Sequence, residues 1–304
     1  MINLRYHIVS LTAVFLALGV GILAGTTVID RGLVQGFEAN TTALQNRLNT
    51  QRSQITIQER DLALWDKFGD KIIPPLVQGR LDGRATVVIA DNAVPGALLN
   101  GLSETFALAG AKRPTRLTLT DKWALAAPAS VEQLALLLGL KGSSKDEVLA
   151  EAASRIASRL GGSSDPRADD DLIHALDNAG FLDVADLPDV GPFPASNALV
   201  ILVTSGASNE TPTEDAFFIP LLRVLTSARV VATTEPFGAD RSLAEKVRGD
   251  RELARSVCTV DHGNTVAGQL SLVYCLRDLV AGRAAGHYGV RRGAKAVAPD
   301  VRAA

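Results

Sequence analysis

Sulfur and imidazole ligands are scarce in this 304-residue chain: two cysteines (Cys258 and Cys275), one methionine at position 1 and four histidines. Two cysteines cannot staple a small disulfide scaffold, and a lone Met leaves no soft-ligand cluster for a thiophilic metal. His7, His174, His262 and His287 lie far apart, and none pairs with Cys at a ligand spacing. Cys258 and His262 are four apart, but across an expected strand-to-helix turn rather than on one helical face. Two buried thiols are therefore expected, with a strand-to-helix bridge as the alternative in an oxidising compartment. Charge imbalance is missing too: 31 Lys and Arg stand against 33 Asp and Glu, so a nucleic-acid partner is not indicated. Aromatic residues make up only 5%.

Catalytic and nucleotide signatures are absent as well. "ADNAVPGALL" after the first expected strand lacks the glycines of G-x-G-x-x-G, and there is no P-loop. Ser205 lies in "VTSGAS", which is not the G-x-S-x-G nucleophile elbow. These absences predict a protein that is not an enzyme and holds no cofactor.

What the chain does contain begins with a long apolar run. From Ile8 to Ile29 there is no Asp, Glu, Lys or Arg over 22 residues. At 1.5 Å per residue this is about 33 Å of helix, enough to cross a hydrocarbon core of roughly 30 Å. The run reads as an uncleaved anchor over residues 1–29. A cleaved export signal is the serious competitor, although the run exceeds the usual apolar region and no clean A-x-A site follows. Arg5 and the terminal amine precede the run, which favours a cytoplasmic N-terminus and an extracytoplasmic body in a single-pass membrane protein. Ala17, Gly21 and Gly25 fall at i, i+4 and i+8, a small-residue stripe on which two membrane helices can approach closely.

A heptad pattern follows, predicting a coiled-coil stalk over residues 30–78. Val34, Leu48, Ile55 and Leu62 occupy position a, and Phe37, Leu44, Trp65 and Ile72 occupy position d. A seam repeating every 3.5 residues needs a partner helix, which points to a parallel homodimer; folding back on the chain's own body is the alternative. The small-residue stripe just upstream favours the dimer. Gly69 and Pro74-Pro75 are expected to end the helix.

Beyond residue 79 strands and helices alternate. "RATVVIAD", "TRLTLT", "NALVILVTSG", "RVVATTE" and "SVCTVD" read as strands, most of them continuously apolar. Helical segments intervene, including a wholly helical stretch at 130–180. The pattern predicts a doubly wound, mainly parallel α/β (Rossmann-like) domain over 79–283, with a helical insertion at about 125–185. Ligands in such sheets collect beyond the strand carboxyl ends, here Asp91, Ser205, Glu235, Asp261 and His262. Asp261 and Asn264 are expected to cap the last helix. The basic, Ala- and Gly-rich end, residues 284–304, reads as a flexible tail.

Two blocks carry a resemblance. "MINLRYHIVSLTAVFLALGVGILAGTT" resembles the opening of the actinobacterial copper transport protein B (MctB) family, M-I-x-L-R-x-H followed by S-L-x-A-V-F-L-A-L-x-x-G. "TVDHGNTVAGQLSLVYCLRDLVAGRAAGHYG" is similar to the family's closing block, T-V-D-x-x-x-T-x-A-G ending in G-x-x-G-H-Y-G. The family label implies an outer-membrane channel that removes copper, with copper as its only associated metal. A corynebacterial branch of the family (SteB) implies instead a coiled-coil partner of a cytoplasmic-side division protein, controlling peptidoglycan hydrolases during cell separation. The family brings no catalytic residues to carry over. A pore would need a closed barrel of strands alternating polar and apolar, which these short apolar strands do not supply. The residues by themselves therefore favour a non-catalytic envelope scaffold in cell separation, with copper transport as the alternative.

Overall fold

The computed structural model describes residues 4–165, 167, 171–188, 191–208, 212 and 214–300. The chain divides into two units, Met1–Trp65 and Asp66–Ala304. Helix α1 (Leu4–Val77) runs through both.

In the first unit α1 carries a segment, Arg5–Gly25, long and apolar enough to cross a membrane, and none of it is buried against protein. Nothing lies within 4 Å of where a Cβ would stand on Gly21 or Gly25, so this face is open. Leu44, Leu48 and Ile55 are 61, 46 and 53% exposed. The side chains of Val34, Phe37 and Leu62 lie outside the described residues. Counted along one continuous helix, Ala17, Gly21 and Gly25 take positions e, b and f of the heptad that places Leu48 and Ile55 at a. The stripe and the seam therefore face different sides.

The helix also continues past its expected stop. Gly69, Pro74 and Pro75 all lie inside it, and its last turn closes with Gln78 N donating to Pro74 O at 3.1 Å. Two prolines so near the end remove only two amide donors, and the helix gains burial in return. Ile73, Val77 and then Leu81 enter the core of the second unit, while Ile72, the last expected seam residue, is only half-buried. Gly69 is needed for this seat: a Cβ there would stand 2.2 Å from Val266 Cγ2. The second unit accordingly begins near Asp66, before the expected residue 79.

That unit is built on a seven-stranded sheet. Its strands are β1 (Thr86–Ala90), β2 (Thr115–Leu119), β3 (Leu182–Ala185), β4 (Leu199–Val203), β5 (Val230–Thr234), β6 (Val257–Val260) and β7 (His287–Tyr288). The order is β3-β2-β1-β4-β5-β6-β7, parallel throughout except for the antiparallel edge strand β3. β1 and β4 are buried along their whole length, which is why they read as unbroken runs of Val, Ile and Leu. Alternate residues feed opposite faces. Val87, Ile89, Val200 and Leu202 meet helices α4 (Lys145–Gly161) and α6 (Ile219–Leu225), with Trp123 and Phe217 between. Val88, Ile201 and Val203 meet α2 (Gly96–Leu108), α9 (Val266–Val280) and the end of α1.

The expected insertion contains α3 (Pro128–Leu137), α4 and α5 (Leu172–Asn178), but also β3, which extends the sheet. α4 is sharply bounded because Ser144 and Glu147 form a reciprocal capping box. Its apolar positions Val148, Ala152, Ile156 and Leu160 then face the sheet. Two short helices, α7 (Leu243–Gly249) and α8 (Leu253–Ser256), connect β5 to β6.

Cys258 on β6 and Cys275 on α9 form a disulfide, correcting the expectation of two free buried thiols. The helix crosses the strand with the two Cα atoms 6.1 Å apart, a separation that a bridge spans. The expected flexible tail is also different over its described part. Residues 287–288 form β7, and Gly289 N donates to Ala296 O at 2.9 Å as the chain folds back on itself.

Candidate functional site

The sheet places Asp91, Ser205, Glu235, Asp261 and His262 at the carboxyl ends of β1, β4, β5 and β6, where the strand pattern puts them. They do not form one constellation. Asp91 is buried and engaged by backbone: Ala93 N donates to Oδ1 at 2.8 Å, and Ser205 N donates to Oδ2 at 2.5 Å. It ties the end of β1 to the end of β4 across the point where strand order reverses. The loop after β5 then closes that point. Arg241 N donates to Gly206 O at 2.8 Å, and a Cβ on Gly206 would stand 2.4 Å from Ala239 Cβ. Where a doubly wound sheet offers its usual ligand crevice, this chain is packed against itself.

Asp261 does not cap the last helix. Thr265 takes that place, its side chain accepting from Gly268 N, and Asn264 Oδ1 accepts from Phe237 N at 2.7 Å. Asp261 instead holds the C-terminal segment. Val290 N donates to its Oδ1 at 2.9 Å, while Arg291 N at 3.1 Å and Arg248 Nη1 at 2.7 Å donate to Oδ2. Burial alone would raise its pKa, yet these hydrogen bonds together hold the carboxyl below its ordinary range.

Arg248 organises the rest. Its Nη2 donates to Tyr288 O and its Nε to Thr259 Oγ1, both at 2.8 Å. Thr259 Oγ1 lies 2.9 Å from His287 Nδ1, and His287 Nε2 lies 2.9 Å from Ala254 O. With the Arg248 donor already on the Thr259 oxygen, the hydroxyl proton goes to Nδ1 and the imidazole donates through Nε2. Burial lowers the pKa of His287, which suits this neutral tautomer. The "GHYGVRRG" block is thus a strap locked over the end of β6. Its glycines are steric requirements: a Cβ on Gly289 would stand 2.0 Å from Asp261 Oδ1, at a φ of +138°.

Glu235 lies beside the strap. It accepts from Ser242 Oγ and from Ala244 N (3.3 Å), and Arg291 Nε stands 3.7 Å away. Desolvation dominates these contacts and pushes its pKa up to about 7. His262 is buried with its pKa lowered, chiefly by desolvation, and its ring nitrogens hydrogen-bond neither Ser205 nor Asp261. No Ser-His-Asp relay exists here. No motif singles out Arg248 or Arg291, and His287 enters only as part of the G-H-Y-G block of the family resemblance, since a basic Gly-rich terminus resembles a solvated tail. The spacing of Gly286, Gly289 and Gly293 around His287 and Tyr288 is the signal the sequence does offer.

A groove of about 710 Å³ lies at the opposite end of β1 and β2, lined by Lys112, Arg113 and Phe193, and Arg113 is already paired with Asp186 at 2.9 Å. For copper the donors are poor. The two cysteine sulfurs are bonded to each other, and among the described residues no three His, Cys, Asp or Glu side chains could hold a metal ion together.

An apolar N-terminal helix long enough to cross a membrane, followed by a mixed α/β sheet whose strand-end carboxylates Asp91, Glu235 and Asp261 are bonded internally, marks a membrane-associated chain with an α/β body. The chain belongs to the family described as "Copper transport outer membrane protein, MctB", which matches residues 1–299. Among its relatives, "Copper transporter MctB" of Mycobacterium tuberculosis (strain ATCC 25618 / H37Rv) is 26% identical, the comparison covering 98% of this chain and 99% of the relative. The protein of the same name from Mycobacterium leprae (strain TN) is 23% identical over the same shares. The resemblance read from the two terminal blocks therefore extends over nearly the whole chain. The relatives' names speak of copper transport, the alternative reading of the sequence, and neither mentions cell separation.

Proposed function

We propose that this chain serves copper transport across the cell envelope as a membrane-anchored, non-enzymatic protein. The family match over residues 1–299 carries the proposal, because it covers the anchor and the α/β unit together. Copper is the cargo in this reading. The α/β unit acts on it through assembly with other chains, since its two sulfurs are bonded to each other, His287 is committed to Thr259 and Ala254, and no three ligating side chains converge among the described residues. The disulfide supports placing this unit on the oxidising side of the membrane, with the N-terminus cytoplasmic. The open apolar side chains Leu44, Leu48 and Ile55 support pairing of two copies in parallel through α1.

The test is a chromosomal deletion with complementation by the full chain. The deletion strain is expected to hold several-fold more cell-associated copper at equal external copper, and to stop growing at lower copper, with both effects restored by the wild-type gene. Unchanged copper content and tolerance would sink the proposal. If the same cells formed unseparated chains, the scaffold of cell separation would take its place, acting with a division protein or a peptidoglycan hydrolase.

A further inference from the structure

The strap that Asp261 clasps also presents apolar side chains to solvent. Val290 and Val297 are 60 and 55% exposed, although the backbone that carries them is fixed. Val290 N is bonded to the buried Asp261, and a parallel bridge between Tyr288 and Ala296 brings Val297 beside Val290. The main chain of Val297 lies against the His262 ring. Phe237 is 60% exposed at the turn after β5, where Ala239 N donates to Pro236 O at 3.4 Å and Asn264 Oδ1 holds the Phe237 amide. Asp261, His262 and Asn264, all at the end of β6, therefore seat three exposed apolar side chains at one end of the sheet.

Charge surrounds them unevenly. Between His287 and Val297 the chain carries Arg291, Arg292 and Lys295 and no acid. Arg291 turns toward Glu235 and Glu245, whereas Arg292 and Lys295 are exposed, with side chains in no ion pair among the described residues. Near Phe237 the exposed Asp240 and Arg241 cancel in charge. Apolar side chains at turns, flanked by unspent cations, fit a surface that is apolar within and anionic outside. A protein partner would need a pocket shaped to receive them, whereas a bilayer needs none. The chain already carries a helix long enough to cross a membrane, so lipid is at hand where it works.

We propose that this end of the sheet docks on an anionic lipid surface, with Phe237, Val290 and Val297 entering between headgroups while Arg292 and Lys295 face the phosphates. The fixed backbone lowers the ordering cost of that contact, which gives the Arg248–Asp261 clamp a use. The docking stands apart from the copper reading and survives its failure.

Vesicle capture tests it, with the full chain held in nanodiscs of phosphatidylcholine and offered separate vesicles. Capture by vesicles of equal phosphatidylglycerol and phosphatidylcholine is expected to be at least tenfold stronger than by phosphatidylcholine alone, and to fall with added salt. Arg292→Gln with Lys295→Gln should weaken anionic capture at least tenfold. Phe237→Ser with Val297→Ser should weaken it at least fivefold, and all four positions are exposed, so near-ultraviolet circular dichroism should be unchanged. Equal capture by neutral and anionic vesicles, or undiminished capture by either double variant, overturns the assignment. Clustering of the nanodiscs with one another, abolished by Phe237→Ser with Val297→Ser, would overturn it in favour of a second copy of the chain.

Discussion

Single side chains decide how the end of this chain is held. Arg248 and Asp261 are 2 and 0% exposed, and together they receive or supply most of the bonds that fasten the strap. Removing one partner strands a buried charge, so Asp261→Asn is expected to lower unfolding free energy by about 3–5 kcal/mol in urea titrations. Glu235 carries a pH dependence of definite sign. Its folded pKa is raised to about 7 against an ordinary 4.5, so the folded state holds the proton more tightly than the unfolded one. The stability it contributes is full below about 4.5 and is lost as pH rises through about 7. His262 and His287, both lowered, act in the opposite sense as pH rises toward their unfolded value. Comparing wild type with Glu235→Gln isolates the carboxyl. The variant should lose the downward slope between pH 4.5 and 7, an effect on the order of 1.4 kcal/mol for each tenfold difference in proton affinity between the folded and unfolded states. Matching slopes in the two proteins would refute the burial argument.

At the scale of elements, strand-end positions are legible from alternation and run length, and Asp91, Glu235 and Asp261 sit where those runs stop. Three elements differ from the sequence expectation. The helix is expected to break at Pro74-Pro75, but Ile73, Val77 and Leu81 find apolar partners that outweigh two missing donors. β3 is not legible because "LDVA" is short and half-polar, and its existence depends on pairing with β2. The Cys258–Cys275 bridge depends on how α9 lies across β6, which spacing alone does not disclose. With its ends 17 positions apart in sequence, the bridge is expected to stabilise the fold by about 3 kcal/mol. Cys258→Ser with Cys275→Ser should lower the denaturation midpoint accordingly. Protein taken from native membranes should also resist maleimide labelling until reduced and unfolded; labelling without reductant would show the thiols free.

The whole molecule poses the question of assembly. Leu44, Leu48 and Ile55 lie open on α1, and a face of that kind in water calls for a partner. Leu48→Asp with Ile55→Asp should weaken self-association at least a hundredfold, because two carboxylates cannot be buried unpaired in a seam. Light scattering of the full chain in detergent would report dimers for wild type and monomers for the variant. The near-ultraviolet signal of the α/β unit should be unchanged. A wild type already monomeric would defeat the pairing. Since the small residues of the anchor take heptad positions e, b and f, Gly21→Leu should leave this seam-driven pairing intact.

Period and composition are local properties, so the apolar N-terminal helix, the parallel strands and the places of Asp91, Glu235 and Asp261 at their ends followed from the order of residues alone. Partnership is not local. Which carboxylate would clasp the C-terminal strap, whether two distant sulfurs would meet, and whether the crevice at the strand-order reversal would stay open all depended on packing. Segments separated by tens of residues competed there for the same buried space and the same hydrogen bonds. That competition closed the expected crevice around Gly206 and Ala239.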